Sequence, residues 1–469
     1  MSISRLIILT AFIGVSFGSL HAQTERPNVL FIAVDDMNDW VGSLEDDEAA
    51  LTPHMDSFAE TAELFTRAYC SSPACNPSRA SLLTGLGPST TGIYLNDQPW
   101  RRHMPDVVTL PQLFRENDYR SIGLGKIYHN RYNGDKKSWD RYRSFGHGIW
   151  PEDPVEQGYP AKGQFDWGPI DVPDEEFGDY NCSIAAKEFL TTPQQEPFFL
   201  AVGFIRPHLP FFAPQRFFDQ YADEDVVFPE VLESDFDDIP PAGVAMAKKY
   251  RGRRFDIIEN NEEVMRRMLK AYRACISFTD EQVGRVLDAL ENSPYAENTI
   301  VVLWSDHGFH LGEKHRISKY TLWEESNRVL LAFRVPGLTE PGTVSHRTVS
   351  LLDLYPTLAE LCGLEAPENL EGRSLVPLLE DPNLTWPYPA LTTNFEGNHA
   401  IRSERYRYIR YQDGSEKLYD HETDPNEWTN LSQNPQYTEV IENLSQFLPQ
   451  TDAPSAPREE DYKKAKQSN

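Results

Sequence analysis

Short apolar runs alternate with amphipathic patterns along most of this chain. Residues 27–34 form an apolar run that is rich in β-branched and aromatic side chains and is flanked by polar residues. A run of this length and composition predicts a fully buried strand. Similar textures predict further strands at residues 198–203 and 299–305, and helices at residues 53–63, 109–116, 262–290 and 351–361. Alternating strands and helices predict an α/β domain in which helices sandwich a large sheet.

The texture changes toward the C-terminus. Residues 399–411 alternate basic side chains with apolar or aromatic ones, and Asp413-Gly414 suits a hairpin turn before residues 417–419. This pattern predicts a small antiparallel sheet. The final residues are charged and contain prolines, so we expect them to be disordered. The predicted organisation is a main domain, a C-terminal subdomain and a tail, at residues 23–384, 385–450 and 451–469.

The N-terminal residues 1–22 have the features of a secretory signal peptide. Arg5 precedes an apolar run at residues 6–15, and Leu20-His21-Ala22 suits a cleavage site. A membrane anchor is the alternative, but the run is shorter than the roughly 20 residues that span a bilayer. We therefore expect an exported protein, periplasmic or secreted, with no membrane span after signal cleavage.

The chain of 469 residues has a formal net charge of −28. This charge argues against nucleic acid as a partner, because a phosphate backbone would be repelled. An anionic substrate would be repelled as well, so it would need a local cationic pocket. Five cysteines in an exported chain leave one unpaired. The sequence leaves open whether Cys70, Cys182, Cys275 and Cys362 form disulfides or are buried thiols.

The strongest chemical signal is the segment Cys75-Asn76-Pro77-Ser78-Arg79, which runs into Thr84-Gly85. Pro77 suits the first turn of a helix, so residue 75 is expected near a helix N-terminus. The free N–H groups there favour an anionic group. Arg79, four residues along, shares a helical face with Cys75. For an isolated cysteine, burial as a structural residue would be the better interpretation.

The pentapeptide resembles the signature of the type I sulfatases, and further motifs extend the resemblance over residues 26–432, closest to the iduronate-2-sulfatases. The resemblance implies an alkaline-phosphatase-like fold, with a large mixed sheet and a small C-terminal antiparallel sheet. It also implies that Cys75 is not used as a thiol. A formylglycine-generating or anaerobic sulfatase-maturating enzyme would oxidise it to formylglycine (3-oxoalanine), whose hydrate is the nucleophile.

Two acidic pairs follow predicted buried strands. Asp35 and Asp36 end the first strand, and Asp306-His307 follows the strand at residues 299–305. Ligands of α/β sheets bind at the carboxyl ends of strands, and carboxylate oxygens suit Ca²⁺. Turn formation or helix capping is the alternative for either pair alone. The resemblance assigns both pairs, with residue 75, to one Ca²⁺ ion, although an imidazole is an unusual ligand for a hard cation.

Four more residues match the family's pattern. Lys126 and His129, in Gly125-Lys126-Ile127-Tyr128-His129, are expected on one side of a helical turn. His208 lies between two prolines that restrain its backbone. The resemblance makes Lys126 and Lys319 sulfate-binding residues. Outside this pattern, such residues would be ordinary surface or loop side chains.

The resemblance also implies a mechanism. The hydrate at position 75, polarised by Ca²⁺ and Arg79, attacks sulfur, and His208 protonates the departing alcohol. His129 then removes a proton from the sulfated hydrate, so that sulfate leaves by elimination. The reaction class is therefore sulfuric ester hydrolysis.

The substrate is indicated less directly. Aromatic and cationic side chains after the nucleophile helix suit a sulfated or carboxylated sugar, although ordinary packing would explain them too. The candidate substrate-binding residues are Asn96, Trp100, Arg101, Arg102 and His103. The resemblance suggests a uronic-acid-containing polysaccharide, such as a glycosaminoglycan or an algal ulvan, or its oligosaccharides.

Three alternatives stay open. Choline sulfate is a small-molecule alternative to a polysaccharide. A phosphodiesterase or phosphonate hydrolase of the same superfamily is the second alternative. Phosphatases and phosphodiesterases of this fold favour a Thr or Ser nucleophile and usually two zinc ions with more His and Asp ligands. A catalytically inactive relative would lack at least one of the residues named above, and all of them are present.

Overall fold

The computed structural model describes residues 26–44, 50–129, 134–149, 151–156, 165–249, 258 and 261–467. The predicted signal peptide at residues 1–22 lies outside the described residues. Among the described residues, no helix is long and apolar enough to cross a membrane.

The described residues contain both strands and α-helices. Strands β1–β17 are Asn28–Asp35, Glu63–Tyr69, Arg120–Gly125, Arg141–Arg143, Trp167–Ile170, Phe198–Pro207, Phe211–Pro214, Thr299–Ser305, His310–Gly312, Arg316–Ser318, Arg328–Val329, Leu331–Arg334, Thr343–Ser350, Ala390–Thr393, His399–Arg402, Tyr406–Arg410 and Glu416–Asp420. Helices α1–α14 are Pro53–Ala59, Cys75–Thr84, Pro88–Thr91, Trp100–His103, Leu110–Glu116, Gly178–Thr191, Gln215–Phe218, Pro241–Lys249, Glu262–Glu291, Glu324–Asn327, Leu354–Leu361, Val376–Glu380, Thr438–Ser445 and Glu459–Gln467.

Nine strands form one mixed sheet, in which the order β8-β1-β6-β3 is parallel throughout. Strand β12 pairs antiparallel with both β8 and β2, and β11 pairs antiparallel with β2. Strand β13 pairs parallel with β2. The predicted helix at residues 53–63 ends earlier, at Ala59, because Glu63 begins β2. The predicted large mixed sheet is confirmed.

Strand β1 shows why the sheet is buried on both faces. Leu30, Ile32 and Val34 lie in a core that includes helix α9, whereas Val29 and Phe31 lie in a second core with α2, α5 and α11. Successive side chains of a strand point to opposite faces, so a strand that is apolar at every position must be covered on both. Helix layers on the two faces hold the parallel strands in one register, and this fixes where their ends lie.

The predicted small antiparallel sheet is confirmed as β14-β15-β16-β17. One face of this sheet packs Ile409 and Tyr419 against Trp323 of the main domain. The other face packs Tyr408 against Leu444 of helix α13. The predicted turn at Asp413-Gly414 lies between β16 and β17, where Gly414 has a φ of 83°. The domain boundary at residue 385 stays a prediction.

The predicted disorder of residues 451–469 is wrong for residues 451–467, the part of the tail that the structure describes. The Ala453 N–H donates to Ser89 O, and the Ala456 N–H donates to Gly92 O. Ala456 is 3% exposed, and helix α14 follows it. The composition of the tail suggested disorder, because composition does not show that a segment distant in sequence supplies hydrogen-bond partners and an apolar contact surface.

Gln98 joins the tail to the segment after helix α2. Its buried side chain accepts from the N–H groups of Tyr94 and Leu95, and donates to Ser455 Oγ and Ala456 O. Gln98→Ala should lower the free energy of unfolding by about 3 kcal/mol, because it leaves buried donors and acceptors unpaired. Urea denaturation measures the change. The exposed Gln436→Ala should stay within about 0.5 kcal/mol of wild type, and an equal loss in both variants would contradict this role of Gln98.

All five cysteines lie among the described residues, and all five are buried free thiols. The structure therefore favours burial over disulfide pairing for Cys70, Cys182, Cys275 and Cys362. Burial raises the pKa of the Cys275 and Cys362 thiols to about 12, so both are neutral core residues.

Candidate active site

Four neighbouring parallel strands bring their carboxyl ends to one edge of the sheet. Asp35 is the last residue of β1 and Asp36 follows it, Asp306 follows β8, Lys126 follows β3, and His208 follows β6. Open α/β sheets bind ligands at this edge, outside the carboxyl ends of the strands. Sequence positions as far apart as 35 and 306 therefore meet in one place.

Cys75 lies at the centre of this edge. It is the first residue of helix α2 and is fully buried. Its Sγ lies 3.0 Å from Lys319 Nζ, 3.3 Å from His307 Nε2 and 3.6 Å from Asp36 Oδ1. Burial raises the pKa of the thiol, although Lys126 and Lys319 oppose this rise. Cys75 as a thiol is therefore protonated and a poor nucleophile.

Asp36 adopts an unusual backbone conformation with a φ of 58°. A positive φ is tolerated by Asp better than by most non-glycine residues, and such strain often marks a functional site. The turn is held at both ends: the Asp36 N–H donates to Asp306 Oδ1 over 3.0 Å, and Tyr272 donates to Asp36 O over 2.8 Å. This conformation turns the Asp36 side chain toward Cys75.

Arg79 holds two of the carboxylates. Its Nε donates to Asp306 Oδ2 over 2.7 Å, and its Nη2 donates to Asp35 Oδ1 over 3.1 Å. Its Nη1 donates to the carbonyl oxygens of Lys126 and Ile127. The sequence predicted that Arg79 polarises the group at position 75. The structure instead has its guanidinium engaged with the acidic residues and with the backbone after β3.

Two buried lysines complete the cationic part of the site. Lys126 Nζ pairs with Asp35 Oδ2, and Lys319 Nζ lies 2.5 Å from Asp36 Oδ1. Burial opposes ionisation of these groups, but the opposite charges outweigh it. The pKa of each lysine is therefore raised, and the pKa of each partner aspartate is lowered. All four groups are charged at neutral pH.

Two histidines present Nε2 to the centre of the site. His307 Nδ1 donates to Gly308 O over 2.9 Å, and His208 Nδ1 donates to Leu209 O over 2.6 Å. In both rings the proton is assigned to Nδ1 because of these hydrogen bonds. His208 Nε2 lies 3.9 Å from Asp36 Oδ2. Burial lowers the pKa of His307, so it is a neutral imidazole whose Nε2 lone pair is suited to a metal.

His129 is also buried beside the lysines. Burial, and then the charge of Lys126, holds the pKa of His129 well below its usual range. A neutral imidazole of this kind is a proton acceptor. His129 and Lys126 were predicted to share a helical turn, and this is wrong. Residues 126–129 form bends, because Gly125 ends β3 with a φ of 73° and its carbonyl accepts from Tyr142 Oη.

The ligand atoms suit a hard divalent cation. Side-chain ligand atoms of Asp36, Cys75, Asp306 and His307 all lie within 4.8 Å of one another, and a second overlapping group adds Asp35 and His208. Three buried carboxylates around one point are costly unless they face cations. The donor set, which is mostly oxygen, is what Ca²⁺ prefers, with one imidazole as the exception.

A third acidic cluster is structural. The side chains of Glu324, His421 and Glu427 also lie within 4.8 Å of one another. However, Arg407 pairs with both glutamates, and Arg402 Nε lies 3.3 Å from Glu324 Oε2. The buried guanidinium of Arg407 occupies the place of a cation, so this cluster is an ion-pair network between the two domains.

The candidate substrate-binding residues divide into two groups. Asn96 lies beside the nucleophile helix, where its Oδ1 accepts from the Asn76 N–H over 3.0 Å. Trp100 is wrong as a substrate contact, since it is fully buried and stacks on Tyr128 at 4.8 Å. A single tryptophan in the sequence is expected both where the side chain is buried in a core and where it contacts a sugar ring, so the sequence does not distinguish the two.

The two arginines beside Trp100 form ion pairs within the chain, and their role in substrate binding stays a prediction. Arg101 Nη2 lies 2.8 Å from Asp135 Oδ2, and Arg102 Nη1 lies 3.6 Å from Glu459 Oε1 of the ordered tail. Both guanidinium groups are thus paired by acidic residues of the chain itself. His103 is exposed at the end of helix α4, and its role stays a prediction.

Sequence reasoning missed several residues near the site. The His147 ring lies 5.9 Å from the His208 ring, and burial lowers the pKa of His147 to about 3. Tyr320 and Phe395 were missed as well, and their rings lie 6.4 Å apart. The sequence signal for His147 is its position between Gly146 and Gly148. In the structure both glycines have a positive φ.

Comparison with known proteins agrees with this geometry. A family model described as Sulfatase matches residues 27–364, and one described as N-sulphoglucosamine sulphohydrolase, C-terminal, matches residues 312–453. The chain is 40% identical over 447 residues to a sulfatase of Formosa agariphila, covering 92% of this chain and 88% of that protein. It is 31% identical over 399 residues to human iduronate 2-sulfatase, covering 74% and 71%.

A solved structure extends the likeness to the fold. A 2-O GAG sulfatase superposes with a TM-score of 0.71 at 25% identity, covering 94% of this chain and 93% of that one. The sheet, its edge of acidic residues and the buried cysteine thus define an alkaline-phosphatase-like hydrolase. More narrowly, the chain belongs to the sulfatase family and is a sulfuric ester hydrolase. The predicted family is confirmed.

Proposed function

We propose that this enzyme hydrolyses sulfate monoesters on sugar residues of a sulfated, uronic-acid-containing polysaccharide or its oligosaccharides. The observation that supports this most strongly is the position of Cys75, whose Sγ lies within 3.6 Å of Lys319, His307 and Asp36. The human relative is an iduronate 2-sulfatase, and the solved neighbour is a 2-O GAG sulfatase. Both names point to a uronic-acid sugar.

Cys75 would act after conversion to formylglycine, whose hydrate supplies an oxygen nucleophile where the sulfur atom now lies. A protonated, buried thiol is a poor nucleophile, so the site suits a modified residue better than cysteine itself. A formylglycine-generating or anaerobic sulfatase-maturating enzyme is the implied partner. Export to the periplasm or the medium is part of the same proposal.

One Ca²⁺ ion would be held by the carboxylates after β1 and β8, by His307 and by residue 75. Bound there, the ion would supply Lewis-acid polarisation of the nucleophile and of a sulfate oxygen. Arg79 serves this arrangement as a positioning residue, because it fixes the carboxylates of Asp35 and Asp306 from the side of helix α2.

The remaining residues bind the sulfate group and handle protons. Lys126 and Lys319 would neutralise the nonbridging sulfate oxygens, which suits their buried, charged side chains. To act as the general acid, His208 would carry protons on both nitrogens: Nδ1 stays bonded to Leu209 O, and Nε2, which lies 3.9 Å from Asp36 Oδ2, would donate its proton to the leaving alcohol. Burial lowers the pKa of His208, and the charge of Asp36 opposes this fall. His129 would accept a proton when sulfate is expelled.

The alternative substrates are choline sulfate, phosphate diesters and phosphonates. Among the described residues, the carboxylates of the site gather around one centre that Cys75 shares. This arrangement favours a sulfatase over a two-zinc phosphodiesterase. Steady-state assays on defined sulfated oligosaccharides, choline sulfate and a phosphonate monoester test the proposal. Turnover of choline sulfate alone would overturn the polysaccharide assignment.

The role of His208 predicts a dependence on the leaving group. His208→Gln should lower kcat for a sugar sulfate by about 10²- to 10⁴-fold, because an alkoxide is a poor leaving group without a proton. For 4-nitrophenyl sulfate the loss should be about tenfold or less, because nitrophenolate leaves unprotonated. Equal losses on both substrates would contradict a general-acid role and would indicate that His208 only shapes the site.

A further inference from the structure

Tyr320 is tied to both sides of the nucleophile. Its N–H donates to Pro73 O over 3.2 Å, two residues before Cys75. Its hydroxyl accepts from Asn96 Nδ2 over 3.0 Å, and Asn96 Oδ1 accepts in turn from the N–H of Asn76. The ring of Tyr320 is therefore held beside the N-terminus of helix α2, directly after the sulfate-binding residue Lys319.

Phe395 extends this aromatic surface from the C-terminal subdomain. Its ring lies nearly parallel to that of Tyr320, with 6.4 Å between the centroids and 13° between the planes. The preceding residue, Asn394, donates from Nδ2 to Tyr320 O over 2.6 Å and so joins the two loops. Both rings are partly exposed. Phe395 also packs against the core that contains Trp323 and Tyr419, which anchors its ring while leaving it partly exposed.

Both aromatic residues have strained backbones. The φ angle is 71° for Tyr320 and 59° for Phe395. For bulky residues, positive φ is uncommon and costs about 1–3 kcal/mol at each position. Two such residues in contact next to a catalytic lysine indicate that the chain maintains this surface at a cost to stability. Strain of this kind is concentrated at ligand-binding sites.

A cation lies over the ring of Phe395. Lys249, exposed at the last residue of helix α8, places Nζ 4.1 Å from the centroid of the Phe395 ring. The neighbouring Lys248 is directed elsewhere, with Nζ 6.0 Å from the Phe236 ring. In a chain with a net charge of −28, a lysine at the site is what an anionic substrate requires.

We propose that Tyr320, Phe395 and Lys249 form a subsite for the sugar ring of the substrate, in which Lys249 binds a second anionic group, a carboxylate or a sulfate. The proposal rests on the proposed sugar-sulfatase function and deepens it. The C–H face of a sugar ring packs on aromatic rings, and a few polar groups at the rim fix its orientation. The cation would select sugars that carry a charge besides the scissile ester.

The test compares substrates that differ only in the second anion. One pair is a 2-O-sulfated uronic acid disaccharide and its carboxyl methyl ester, and the other pair carries or lacks a second sulfate. The wild-type enzyme should prefer the charged member of one pair by about tenfold in kcat/KM, through a lower KM. The pair that shows the preference identifies the anion.

The variants locate that preference. Lys249→Ala should abolish it, whereas Lys248→Ala should keep it. Phe395→Leu still requires a bulky residue with positive φ at this position, but it removes the aromatic face. It should raise KM for both members of a pair by about tenfold. A preference that survives in Lys249→Ala, or no preference in either pair, would overturn the subsite while leaving the proposed function intact. A wild-type enzyme inactive on every sulfated sugar would instead refute the proposed function.

Discussion

Replacing Cys75 with alanine is expected to lower kcat/KM for sulfate esters by on the order of 10⁵-fold or more, which is the scale of losing a nucleophile. The reason is positional. Sγ of Cys75 lies at the point where Lys319, His307 and Asp36 converge, and no other side chain of helix α2 is shown in contact with all three. Binding residues alone would leave only weak residual catalysis.

Cys70→Ala is the matched control for Cys75→Ala. Cys70 is also fully buried, and its Sγ lies 3.7 Å from Ser326 O, outside the catalytic cluster. The control should keep its activity and lose only stability, because the change leaves a small cavity. Thermal melting of both variants checks folding. A folded Cys75→Ala enzyme that keeps a tenth of wild-type activity would contradict the nucleophile assignment.

Asp36→Asn should cost about 10³-fold or more in kcat/KM, since it removes the charge of a carboxylate that pairs with Lys319 and that would be a ligand of the proposed ion. Asparagine tolerates the left-handed backbone that Asp36 adopts, so the turn should survive. The second expected change is in calcium binding. Added Ca²⁺ should raise the Tm of the wild-type enzyme by mass action and should raise that of the variant much less.

Asp39→Asn provides the control for the loss of charge. Asp39 lies three residues along and pairs with Arg328 at 3.0 Å. This variant should keep both the activity and the calcium-dependent rise in Tm. If Asp36→Asn responds to calcium as the wild type does, then the ion is not held at the carboxyl end of β1. Treatment of the wild-type enzyme with a calcium chelator should reproduce the loss of activity.

The edge of the sheet was predictable because its signals are local. Buried parallel strands are apolar at every position, and the residues that follow them, such as Asp35, Asp306 and His208, must lie at one edge. The family motifs then supplied the identity of the site. Fold and family were confirmed on these grounds.

The remainder depends on contacts between distant segments. The ordered tail requires Gln98 to bond with Ala456, which lies more than 300 residues away, and no local pattern encodes that contact. Trp100 illustrates an ambiguity, because burial and ligand contact favour the same residue types. Tyr320, Phe395 and Lys249 meet only because the C-terminal sheet and helix α8 pack beside the segment that follows β10, and no local pattern indicates these contacts.

The most direct test is the mass of the tryptic peptide that contains residue 75, taken from enzyme purified from its native host and shown to hydrolyse a sulfate ester. The account predicts formylglycine at position 75, which can be trapped as a hydrazone. An active preparation in which residue 75 is entirely an unmodified cysteine would contradict it.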